Sequence, residues 1–204
     1  MKSFISEDDI EQAICNRLSL PEYGWKRIEC DARVEAQDDV STTGRANPSE
    51  CILPDVFLAA LKRLNPQVEE GVLQGILRNF RKDYTATDMV ETNYKLYNQL
   101  RNGIKKPVRK NGKEDFDIVR LIDFDHPERN DFHCVNQMWI KGHYRYRRPD
   151  VLLFVNGLPV VFIELKNSTV KVEESYNKNL TSYRKDIPNI FSFNQICVCL
   201  LYTS

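Results

Sequence analysis

Hydrophobic and polar positions change rhythm along this 204-residue chain, and each rhythm predicts an element. Between residues 6 and 19 the apolar residues Ile10, Ile14 and Leu18 recur on one face of a helix. Ser6 is its N-cap, with an acid, Asp9, three residues on. Glu11 lies beside the stripe, where it can reach inward or sit solvated in the favourable field of the helix N-terminus. Residues 38 to 50 are small and polar and read as a loop. Pro54 opens a helix that runs to about Leu64, and Pro66 ends it or begins the next. Val68, Val72, Leu73, Ile76, Leu77 and Phe80 form another helical stripe, and residues 88 to 100 a further helix with Tyr94 and Tyr97 expected in the core.

The second half has the period of strands. Phe116 to Phe124 reads as a strand, His126-Pro127 to Asp131 as a turn, and Phe132 to Ile140 as a returning strand. Val151 to Val155 and Val160 to Ile163 are apolar at every position and flank the turn signal Asn156-Gly157. Both of their faces are therefore expected to be buried, as in the central strands of a covered sheet. Residues 173 to 186 read as a helix closed by Pro188, and Ile196 to Tyr202 as a last strand. This order predicts an α/β fold, a mixed central β-sheet flanked by helices. There is no internal repeat and no low-complexity tract.

Charge appears in the buried hairpin only where its first run begins, at Asp150, and where its second ends, at Glu164-Leu165-Lys166. Ionised groups are seldom buried there unless paired or bound to metal. Mg²⁺ takes one or two carboxylates, with waters and substrate phosphates completing its shell. Asp150 and Glu164 supply the carboxylates, and the Leu165 backbone carbonyl lies between Glu164 and the lysine. Two adjacent carboxylates repel unless a positive charge intervenes. Lys166 has the side-chain parity of Glu164, so it points at the same place. There it can orient a water or offset charge on a phosphate, which suggests metal-assisted phosphodiester hydrolysis. The bland alternative is a hairpin that ends in a surface Glu–Lys pair, since short patterns of this kind arise by chance.

Geometry sets a condition on the site. A two-residue turn at Asn156-Gly157 with unbroken pairing would set Asp150 opposite Ile163 and face it away from Glu164. The hairpin is therefore expected to contain an odd loop, such as Val155-Asn156-Gly157, or a bulge.

The stretch RPDVLLFVNGLPVVFIELKNS resembles the nuclease core of the restriction (R) subunit of type I restriction–modification enzymes, within the PD-(D/E)xK nuclease superfamily. The opening Ser6 to Glu11, the segment Leu121 to Phe132 with Val135-Asn136-Gln137, and Tyr183 to Pro188 with Phe191 and Asn194 resemble it in order. Residues 30 to 85 match loosely. The resemblance implies a restriction-endonuclease-like core with Asp150, Glu164 and Lys166 as catalytic residues. Asp150, Glu164 and the Leu165 carbonyl would be metal ligands, with Glu11 as a further candidate ligand from the first helix. It also places Tyr183 and the position of Asn179 at the DNA, although the family often has glutamine where this chain has Asn179.

By the same resemblance the chain is an endonuclease domain acting on double-stranded DNA in defence against foreign DNA. It would use one or two Mg²⁺ ions and be targeted by partner modification and specificity subunits. The chain then reads as a fragment, residues 1–204, with a helical insertion at about 54–101 and a nuclease core at about 114–202. ATP would act through motor domains absent from this chain, since Gly112-Lys113 is followed by Glu114 and no phosphate-cradling loop is formed. The resemblance implies a strand and then a polar turn after Asn194, where this chain has Cys197 to Ser204, so residues of about 199–204 are expected to depart from the native family sequence. Two other functions stay open: a different nuclease of the superfamily, acting in repair or in a mobile element, and a catalytically silent module for DNA binding or docking.

Composition refines this picture. Net charge is +0, yet Arg101 to Lys113 holds six basic residues and no acid. Lys141 to Arg148 sets Arg145, Arg147 and Arg148 with Lys141, His143 and two tyrosines directly before Asp150. That cluster is either a solvated strand face or a phosphate contact, and its place beside the carboxylates favours DNA. His126, His133 and His143 are scattered and read as turn, strand and surface residues. The six cysteines have no zinc spacing, which suits packed free thiols in a reducing cytoplasm. No apolar run reaches membrane-spanning length and the start lacks an apolar signal core, so a cytoplasmic, membrane-free protein is expected.

Overall fold

A mixed sheet of five strands carries the candidate site. The computed structural model describes residues 6–31, 33, 40–84, 87–110, 113–167 and 180–202. Strand β1 (Lys26–Glu29) runs parallel to β4 (Phe132–Asn136), which is antiparallel to β7 (Val151–Val155). β7 is antiparallel to β8 (Leu158–Asn167), and β8 is parallel to β9 (Ile196–Tyr202). The α/β class with a mixed central sheet and flanking helices is thus the observed architecture.

The unbroken apolar run of β7 is explained by helices on both faces. Val151 and Leu153 join Cys134, Ile163 and Leu165 in a cluster under helix α1 (Glu7–Leu18), which contributes Cys15. Leu152 and Phe154 point the other way, into a cluster with Phe162, Tyr183, Ile187, Ile190 and Phe191. Helix α1 starts at a capping box: Ser6 Oγ accepts from the Asp9 N–H at 3.1 Å, and the Asp9 carboxylate accepts from the Ser6 N–H at 2.9 Å. The line it buries is Glu11 and Cys15, while Ile10, Ile14 and Leu18 are half-buried at its edge.

Helices α2 (Pro54–Leu64), α3 (Glu70–Phe80) and α4 (Met89–Asn102) form a second core with Val119, Leu121, Leu158 and Phe193. In α4 the inward residues are Thr92, Leu96 and Leu100, whereas Tyr94 and Tyr97 are exposed, contrary to expectation. Strand β2 (Ile104–Lys110) pairs with β3 (Lys113–Val119) in a separate ribbon that carries much of the first basic cluster. The strand expected over 116–124 therefore stops at Val119, because Leu121 turns into the helical core. The strand expected over 132–140 also breaks. It ends at Asn136, Gln137 takes a left-handed φ of 59°, and a short pair of strands follows, β5 (Ile140–Lys141) with β6 (Tyr146–Arg147). Of the helix expected over 173–186, α5 (Thr181–Asp186) is present and residues 173–179 lie outside the described residues. Among the described residues no helix is long and apolar enough to cross a membrane.

The β7–β8 hairpin meets the geometric condition through a bulge rather than a three-residue loop. Asn156 (φ 50°) and Gly157 (φ 79°) make a two-residue turn, so Val155 pairs with Leu158 and Phe154 with Pro159. The register then shifts. Leu153 pairs with Val161 and Val151 with Ile163, which leaves Val160 as the extra residue. Parity is reversed below the bulge, and Asp150 comes opposite Glu164. Gly157 is also fixed by packing: a Cβ there would stand 2.5 Å from the Leu53 carbonyl oxygen under the start of α2.

Candidate active site

Asp150 stands at the head of β7, and its Oδ2 accepts a hydrogen bond from the Leu165 N–H at 2.7 Å. This bond ties the acid to the peptide between Glu164 and Lys166. Glu164 is buried at 7% exposure, its Oε1 lies 2.9 Å from Lys166 Nζ, and its Oε2 is buried without a partner. Burial, reinforced by the Asp150 charge, pushes the Glu164 carboxyl up to about 7. Burial also raises Asp150, against the stabilising hydrogen bond from Leu165. Burial works against the Lys166 ammonium, but the charges of Glu164 and Asp150 outweigh it, so Lys166 is raised and stays protonated at neutral pH. The three residues singled out in the sequence are therefore brought together at one end of the hairpin.

Glu11, almost fully buried on α1, lines a cleft that Asp150 also lines, whereas Glu164 and Lys166 are not among its lining residues. Glu11 Oε1 accepts from Asn136 Nδ2 at 2.8 Å and Glu11 Oε2 from Gln137 Nε2. Burial raises its carboxyl, with the Asp150 charge adding to the effect against those two bonds. The cleft, about 740 Å³, is lined by Glu7, Asp8, Glu11, Glu29, Asp31 and Asp150, with Asn136, Gln137 and Arg148 among the remaining residues. Asn136 and Gln137 were not among the site residues expected. The resemblance includes them, but nothing local in the sequence says that two amides will meet a carboxylate 125 and 126 positions away.

The donors fit a hard dication. Among the described residues no three His, Cys, Asp or Glu side chains gather into a ready cage. Mg²⁺ needs no such cage, because one or two carboxylates with waters and phosphate oxygens suffice. The unpartnered Glu164 oxygen and the raised pair of carboxylates are what such an ion would relieve.

The expected DNA contacts are distributed unevenly. Arg145 is exposed in the β5–β6 connection. The Arg147 guanidinium instead bonds Asp186, with Nε 2.7 Å from Oδ2, and stands over the Tyr183 ring. Arg148 stacks on Trp139 at 5.3 Å. Tyr183 is buried against Phe162 and Phe191, and its hydroxyl donates to the Arg148 carbonyl at 3.3 Å. Burial and the charges of Glu164 and Asp150 raise its phenol. Asn179 lies outside the described residues. His126, His133 and His143 fall in a turn, a buried strand position and an exposed position, as expected.

Comparisons with known proteins identify the family. The sequence model of the family described as "Type I restriction enzyme R protein N terminus" matches residues 4–200. The type I restriction enzyme HindI endonuclease subunit of Haemophilus influenzae is 31% identical over 199 residues, which are 95% of this chain and 18% of that protein. The protein named "Putative type I restriction enzyme MjaIXP endonuclease subunit" of Methanocaldococcus jannaschii is 32% identical over 162 residues, 76% of this chain and 15% of that protein. The chain thus spans less than a fifth of the length of these curated relatives.

Proposed function

The chain belongs to the family of type I restriction enzyme R protein N-termini, and from that premise we propose that it is a Mg²⁺-dependent endonuclease domain that cleaves double-stranded DNA in defence against foreign DNA. The observation that supports this most is the convergence of Asp150, Glu164 and Lys166 at the open end of the hairpin, with a buried Glu164 oxygen left without a partner. Bound Mg²⁺ would supply Lewis acidity and an activated water. The residues of the chain do the positioning. The Leu165 amide fixes Asp150, and Glu164 keeps its buried Oε2 free of any hydrogen-bond partner. Lys166, held as an ammonium against Glu164, is placed to orient a water and to offset charge on the scissile phosphate.

DNA approaches from the basic side, because the cleft wall from α1 and β1 is acidic. On this reading Arg145 and Lys141, both exposed, meet the phosphates, while Arg147 and Arg148 stiffen the segment that leads into Asp150. Tyr183 acts beside them from within, through the Arg148 carbonyl. Targeting by modification and specificity subunits, ATP use through motor regions elsewhere in the enzyme, and a cytoplasmic setting belong to the same proposal.

The test is the assembled enzyme carrying Lys166→Ala. Plasmid cleavage is expected to fall about a hundredfold or more while ATP hydrolysis is retained. Undiminished cutting would remove Lys166 from the mechanism.

A further inference from the structure

Gln137 is one of two non-glycine residues with positive φ among the described residues; the other, Asn156, forms the hairpin turn. In an extended strand the side chains of Asn136 and Gln137 would point to opposite faces. The left-handed turn at Gln137 lets both amides reach the same carboxylate, that of Glu11. Gln137 also uses its backbone: its N–H donates to the Asp150 carbonyl at 3.0 Å. One residue therefore touches both the strand that bears Asp150 and the side chain that α1 sends into the cleft. Asn136 Oδ1 and Gln137 Oε1 are buried without partners. The pair is thus arranged to donate to a negative charge, at the cost of two unmet acceptors.

We infer that Gln137 is a positioning residue that holds Glu11 in register with Asp150, so that Glu11 serves as an additional oxygen donor to the ion. This rests on the metal-dependent reading of the cleft.

The experiment is calorimetric titration of Mn²⁺, without DNA, into the chain and its Gln137→Gly, Glu11→Gln, Gln137→Gly/Glu11→Gln and Asp150→Ala variants. Glycine suits the positive φ and keeps the backbone N–H on Asp150, so only the amide is deleted. Gln137→Gly is expected to weaken Mn²⁺ binding about tenfold. The double variant should bind no more weakly than Glu11→Gln alone, because the two residues act as a unit. If the glycine variant unfolds, Gln137→Met, which keeps the length without an N–H, should show the same loss. Unchanged affinity, or an equal loss with and without Glu11, overturns the inference and leaves the reading of Asp150 and Glu164 standing. Mn²⁺ binding that is indifferent to Asp150→Ala overturns that reading and this inference with it.

Discussion

At the turn of the β7–β8 hairpin, buried Asn156 donates to the Leu121 carbonyl and to Asn130 Oδ1, each at 2.8 Å, and accepts from the Asp131 N–H at 2.7 Å. Nearby Asp123, 1% exposed, accepts from the His126 N–H at 3.1 Å and from Arg129 Nη1 at 3.0 Å. At the opposite end of the same hairpin, half-buried Asp150 is tied to the Leu165 amide, buried Glu164 pairs with Lys166, and one Glu164 oxygen has no partner. Both ends bury charge, but only the turn end satisfies it. Complete satisfaction is what stability requires. Unsatisfied, raised carboxylates in a cleft are what a ligand site retains. The turn end is therefore read as the fastening of the hairpin, and the strand end as its working part.

This contrast can be broken by mutation. Asp123→Ala should strip half-exposed Arg129 and the His126 N–H of their buried acceptor and cost about 1–3 kcal/mol in denaturant unfolding. A loss below about 1 kcal/mol would mean that the turn end is not the fastening. Next in size, Glu164→Ala in the assembled enzyme should lower DNA cleavage about a hundredfold, while the isolated metal-free chain melts no lower than the unmodified one, because burial makes the Glu164 charge costly. A large drop in that temperature would make Glu164 structural.

The pH dependence is a more selective test. Glu164 has its folded pKa raised from 4.5 to about 7, chiefly by burial. Between those values the folded chain holds more protons than the unfolded one, so metal-free stability should fall as pH climbs from 4.5 to about 7. The fall should be on the order of 3 kcal/mol, and should be smaller in Glu164→Gln. A melting temperature in chelator that rises over this range would contradict the assigned environment. Smallest of all, Asp150→Asn keeps an acceptor for the Leu165 N–H and removes one of two like charges, so it should stabilise the metal-free chain by about 1 kcal/mol. A destabilised variant would place Asp150 with the fastening groups.

The two regions also differ in how far the sequence disclosed them. Asp150, Glu164 and Lys166 stood out because each is a charge at the edge of an otherwise apolar run. Parity alone required a break in the hairpin pairing. It could not place that break at Val160, because Pro159 to Ile163 is apolar throughout and offers no local mark. The left-handed Gln137 was hidden for a similar reason: its two partners, Glu11 and Asp150, are fixed by tertiary packing. Strand β1 leaves no mark in the sequence, because Lys26–Glu29 is short and charged and pairs in parallel with residues more than a hundred positions later. The position of Arg147 and Arg148 before Asp150 points to phosphate contacts, yet Asp186 and Trp139 engage them. Tyr94 and Tyr97 followed the period of their helix and still faced outward, because Leu96 and Leu100 fill the available interface.

The most direct measurement is anomalous scattering from crystals of the chain grown with Mn²⁺. The predicted result is a peak about 2.2 Å from carboxylate oxygens of both Asp150 and Glu164, on the side of the hairpin end that Glu11 and Gln137 face. A peak bound elsewhere, or none at millimolar Mn²⁺, would contradict the assignment of this hairpin end as a cation-dependent nuclease site.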